Sequence, residues 1–156
     1  MTSIEGTVCK EALSGTDDNV LIRFKNGLSG ECVTEYLDKS GNDWATGQTE
    51  SWNKHFFKTC KDIRPNQGLW VKIETHNLLR DMLKICKIVA RFSKLNTNKH
   101  NQYWQYSSGS EEKGIWTDPD LSYTMTTTPW LKMCRRCSRQ AEKNELTRDE
   151  AEYCCD

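Results

Sequence analysis

Ser14-Gly15-Thr16-Asp17-Asp18-Asn19 runs into Val20-Leu21-Ile22-Arg23-Phe24, then Asn26-Gly27, a return run through Cys32, Thr34 and Tyr36, and finally Gly41-Asn42-Asp43-Trp44-Ala45-Thr46-Gly47. This stretch decides the fold class. Val20, Ile22 and Phe24 alternate with Leu21, Arg23 and Lys25, the period of a half-buried strand. Asn26-Gly27 suits the positive dihedrals of a tight hairpin turn. Cys32, Thr34 and Tyr36 share one face of the return strand. Two short loops rich in acids and amides therefore bracket a hairpin and lie at the same end of a sheet, where a rigid scaffold can present them.

Outward from the hairpin, short strands continue. The pattern predicts a first strand over 7–13, an aromatic strand over 50–60 (Trp52, Phe56, Phe57), and a turn at Arg64-Pro65-Asn66-Gln67-Gly68. Leu69, Val71 and Ile73 share a face over 69–75. In 83–92 the apolar parity changes from Leu83 and Ile85 to Ile88, Ala90 and Phe92, which predicts a β-bulge near Cys86-Lys87. Short aromatic strands follow over 102–106 and 114–117. This spacing indicates an all-β, antiparallel sandwich. Residues 1–118 read as the sandwich and 119–156 as a cysteine-rich extension. Its stretch 138–153 is rich in helix formers, and Thr147-Arg148-Asp149-Glu150 has capping-box spacing.

Gly15-Thr16-Asp17-Asp18-Asn19-Val20 resembles the glycine-threonine-acid-x-x-valine opening of the PLAT family, the β-sandwich module of lipoxygenases, polycystins, pancreatic-type lipases and clostridial alpha-toxin. Asn42-Asp43-Trp44-Ala45-Thr46-Gly47 is similar to that family's aromatic-x-x-glycine segment. Leu69-Trp70-Val71-Lys72-Ile73-Glu74-Thr75-His76-Asn77 resembles its later strand. The resemblance covers residues 7–118; the family's tryptophan after the later strand has no match near Leu79 to Leu83. It implies a β-sandwich, a non-catalytic accessory role and docking on membranes through loop aromatics, in some members with calcium.

Calcium takes six to eight hard oxygens. Asp17, Asp18, Asn42 and Asp43 offer such oxygens in the two loops, and calcium is the candidate cofactor. Asp and Asn also cap turns by themselves, and both readings stand. Trp44 is the candidate membrane or partner contact, with Lys84, Lys87 and Arg91 as a basic strand facing anionic headgroups. Against this, tryptophan is highly buried on average, and such charge runs are commonly solvated faces.

Eight cysteines (Cys9, Cys32, Cys60, Cys86, Cys134, Cys137, Cys154, Cys155) in a small chain predict disulfides, an oxidising compartment and a secreted protein. Zinc on Cys134-x-x-Cys137 with Cys154-Cys155 is the lesser reading, since adjacent cysteines fit its geometry poorly. Lys+Arg and Asp+Glu are equal at 22 each, so no bulk field favours nucleic acid. No hydrolase, phosphate-loop or zinc-protease motif is present. The chain thus reads as a non-catalytic binding module for a lipid surface or a partner protein; a secreted toxin or effector acting on a protein receptor is the alternative.

Overall fold

Arg23 pairs with Val33, Phe24 with Cys32 and Lys25 with Glu31, so β2 (Asn19–Asn26) and β3 (Glu31–Val33) form the expected hairpin. Its turn is longer than Asn26-Gly27 suggests. The Asn26 N–H donates to the Gly30 carbonyl, and the positive φ falls on Ser29. Asn26 Oδ1 accepts from the Leu28 and Gly30 amides, which makes the side chain the organiser of the loop. The computed structural model describes residues 1–39, 41, 43–76, 81–93, 102–107, 113–120 and 124–136.

Two antiparallel sheets form a sandwich. One contains β2, β3, β5 (Leu69–His76), β9 (Asp118–Pro119), β10 (Met125–Thr127) and β11 (Leu131–Lys132), with β5 at its centre. The other contains β1 (Ser3–Val8), β4 (Thr49–Asn53), β6 (Lys84–Phe92), β7 (Gln102–Ser107), β8 (Ile115–Trp116) and β12 (Cys134–Arg136), with β6 paired to β1 and β7. Ile22, Phe24, Val71 and Ile73 of the first face Ile4, Ile85, Ile88 and Phe92 of the second in one core. The predicted bulge is present. Thr7 pairs with Lys87 but Val8 pairs with Ile85, which leaves Cys86 as the extra residue.

Three expectations are corrected. The first strand covers Ser3–Val8, not 7–13. It contains Gly6, a residue disfavoured in strands, because the Trp44 ring occupies the space of its side chain: a Cβ there would lie 2.8 Å from Trp44 Cζ3. The 50–60 strand stops at Asn53, whose Oδ1 accepts from the His55 amide and starts two 3-10 turns, Lys54–Phe56 and Lys58–Cys60. The sandwich also continues beyond 118. β10 and β11 run along β5 with one extra residue around Pro129, where Ile73 donates to Thr128 Oγ1. The chain then crosses through buried Met133 into β12, on the edge of the other sheet. The short, partly helical tail expected over 138–153 lies outside the described residues.

Cys9–Cys86 and Cys32–Cys60 are disulfides, each with Cα atoms 5.1 Å apart, and Cys134 is oxidised as well. Among the described residues no cysteine is free. Cys137, Cys154 and Cys155 lie outside them.

Candidate functional site

The two acidic loops meet. The Thr16 amide donates to the Trp44 carbonyl at 3.0 Å, and the Gly15 amide to Thr46 Oγ1 at 3.2 Å. The approach requires glycine at 15, since a Cβ would sit 2.7 Å from the Trp44 carbonyl oxygen. Thr16 Oγ1 accepts from the Asp18 amide, a local turn that lifts Asp17 outward while Val20 enters the core.

Asp81, to which the sequence assigned no role, ties the loop to the rest of the sandwich. Its Oδ2 accepts from Thr16 Oγ1 at 3.0 Å and from the Asp17 amide at 3.2 Å. Its own amide donates to Asp18 Oδ2 at 2.8 Å, and Thr75 Oγ1 donates to its carbonyl at 3.1 Å. The only signal in the sequence was its place just before an apolar strand.

Asp17, Asp18, Asp38 and Asp43 border one small recess of about 140 Å³, with Thr16, Asn19 and Gly41 completing the rim. The predicted Asn42 lies outside the described residues. The donors are hard oxygens, and burial together with Asp38 and Glu50 nearby pushes the Asp43 carboxyl above its usual range. That crowding of negative charge suits a divalent cation. Two carboxylates nevertheless serve the backbone: Asp18 holds the Asp81 amide, and Asp43 Oδ2 accepts from the Lys39 amide at 2.6 Å. Among the described residues no three ligating side chains converge on one point.

Trp44 is not a surface contact. It is 2% exposed, its Nε1–H donates to the Leu37 carbonyl at 2.9 Å, and its ring stacks on Trp52. Exposed apolar side chains at this end include Tyr36, 48% exposed against His76, and, on the other side of the loops, Leu13, 86% exposed at a φ of 67°, with Met82, 40% exposed. Leu13 and Met82 flank a second recess of about 580 Å³, also lined by Trp44, Asp81 and half-buried Trp116.

Lys84, Lys87 and Arg91 do share the outer face of the β6 sheet, but two of the charges are matched locally. Lys84 Nζ meets Glu11 and lies 5.6 Å over the Trp116 ring. Arg91 pairs with Glu5 at 3.1 Å and lies 5.2 Å over Tyr103. Lys87 sits between Thr7 and Ser107 on the neighbouring strands. A strand with this pairing exerts little long-range field.

No family model matches the chain, and no curated protein matches it. Among solved structures, a crystal structure of an engineered lipoxygenase is similar at 14% identity and a TM-score of 0.48, over 83% of this chain and 16% of that one. The chain thus spans about one sixth of the length of that lipoxygenase.

Proposed function

We propose that the chain is a non-catalytic, secreted binding module that docks on a lipid surface through its loop end, with calcium assisting. The observation that carries this is Leu13, 86% exposed on a loop bonded to its neighbours, with Met82 beside it at the mouth of the large recess. Apolar side chains held out to solvent on a rigid end mark an interaction site more than scattered exposure does. Insertion of the two into the interfacial layer contributes about 2 kcal/mol each at full burial. A cation in the neighbouring acidic recess lowers the repulsion between four aspartates and an anionic leaflet. The disulfides favour an oxidising, extracellular setting.

Co-sedimentation with phosphatidylcholine and phosphatidylserine vesicles, with and without calcium, tests the reading. Wild type is expected in the pellet. Leu13→Asp with Met82→Asp is expected to lower partitioning on the order of a hundredfold or more. Wild-type protein that ignores both compositions, with and without calcium, would overturn it and leave a partner protein as the target of the loop end.

A further inference from the structure

We propose that the outer face of the β2–β5–β11 layer binds a sulfated polysaccharide. The face lies toward the Asn26 end of β2, six residues along the strand from the acidic loops, and is independent of the docking end. Strand register builds it. Lys25, Trp70 and Lys132 stand side by side on β2, β5 and β11, and Arg23 and Lys72 form the next row. Trp130, in the bulge before β11, lies beside that row.

The cations rest on the indoles. Lys25 Nζ is 4.5 Å and Lys72 Nζ 5.7 Å from the Trp130 ring centroid, and Lys132 Nζ is 6.0 Å from that of Trp70. For Lys25 and Lys72, an ammonium held over an aromatic face is positioned without being neutralised, unlike one held by a carboxylate. Acids share this face, at its far end and along its edges. Glu74, almost fully buried, is bound by Arg23 at 2.7 Å and by His76 at 2.9 Å. Glu31 stands opposite Lys25 on the edge strand β3, without closing an ion pair with it, and Asp118 stands on the edge strand β9. Among the described residues no carboxylate lies within 4.0 Å of Lys25 or Lys72. Neighbouring strands are about 5 Å apart, so the lysine positions fall within about one Debye length of each other at physiological salt. They present a shared field to a polymer carrying closely spaced anions.

The same geometry selects among polyanions. Single-stranded nucleic acid is held largely by bases stacking on open aromatic faces, and here ammoniums lie over those rings. A lipid surface takes projecting apolar groups. Here both indoles are half-buried against the sheet, and Leu21 on the same face is 8% exposed. A sulfated polysaccharide asks only for fixed cations and meets the chain in the oxidising compartment that its disulfides favour.

Chromatography on immobilised heparin tests the proposal. With equal numbers of acids and bases overall, the chain has no bulk charge to hold it there. Wild type is expected to elute above physiological ionic strength. Lys25→Gln with Lys72→Gln should pass through unretained, and each single substitution should elute in between, which keeps the test standing if the pair does not fold. Lys25→Arg with Lys72→Arg should be retained. Lys54→Gln with Lys58→Gln, the same charge change at exposed positions elsewhere, should elute with wild type. Failure of wild type to bind, or equal loss in the Lys54 and Lys58 pair, overturns the proposal. So does displacement by a single-stranded oligonucleotide or phosphatidylserine vesicles at lower concentration than by free heparin. Retention without vesicle binding would sink the docking reading and leave this one intact.

Discussion

The indole of Trp44 stacks on that of Trp52, with centroids 5.8 Å apart and planes 11° from parallel. The pair joins the second acidic loop to β4, and Gly6 on β1 provides the space that the Trp44 ring fills. The residue that the sequence offers as a docking aromatic is therefore the part that fixes the loop end to the core.

Trp44→Ala should destabilise the fold by about 3–5 kcal/mol, as large core truncations do. Denaturant unfolding measures this. Gly6→Ala should also destabilise, through the clash with the ring, and should cost much less when introduced into Trp44→Ala. A double-mutant cycle with no coupling between positions 6 and 44 would contradict the packing described.

Leu13 holds a left-handed backbone, which costs a side-chain-bearing residue about 1–2 kcal/mol. Leu13→Gly should therefore raise the unfolding free energy by roughly 1 kcal/mol while vesicle binding falls. Gain in stability with loss of binding is the signature of a residue kept for contact rather than for folding. A variant that binds vesicles like wild type would remove Leu13 from the docking surface.

Asp43 links stability to pH. Its folded-state pKa is raised, chiefly by burial, so between the ordinary carboxylate value and that raised value the folded form keeps a proton that the unfolded form has released. Stability from this group should thus fall as pH rises through that window. Asp43→Asn keeps an oxygen for the Lys39 amide and removes the charge. It should melt higher than wild type at neutral pH without calcium and lose any calcium-induced rise. A calcium response that survives in Asp43→Asn would place the ion elsewhere.

The two described disulfides close loops of different length, with sequence separations of 77 for Cys9–Cys86 and 28 for Cys32–Cys60. Removing either by paired Cys→Ala should cost about 2–5 kcal/mol, and on loop entropy alone the longer should cost about 0.9 kcal/mol more. Gly114 should tolerate substitution less with the first bridge than without it, since a Cβ there would lie 2.2 Å from Cys9 Sγ as well as 2.8 Å from the Ile85 carbonyl oxygen, and only the first clash goes with the bridge. Thermal unfolding of Gly114→Ala with and without that bridge checks the coupling.

Alternation along Val20 to Phe24 and Leu69 to Ile73, and the parity change at Cys86, determined the strands, the antiparallel class and the bulge, because side-chain period and burial are local properties of a strand. The acidic loops were likewise legible, since they flank a hairpin whose ends must lie together. What the loops do was decided by contacts between distant residues. Trp44 is core because Gly6, far earlier in the chain, leaves it room. Asp81 organises Thr16, Asp17 and Asp18 across more than sixty positions. Leu13 and Met82 border one recess only once the loops are tied. The strands beyond 118 join one sheet because Thr128 and Met133 find partners on β5, and the other because Cys134–Arg136 pairs with β7, and the Lys25–Trp70–Lys132 row exists only in the register of three strands. Periodicity reports which way a side chain faces, whereas neighbours separated by many residues are set by pairing and packing that no local window contains.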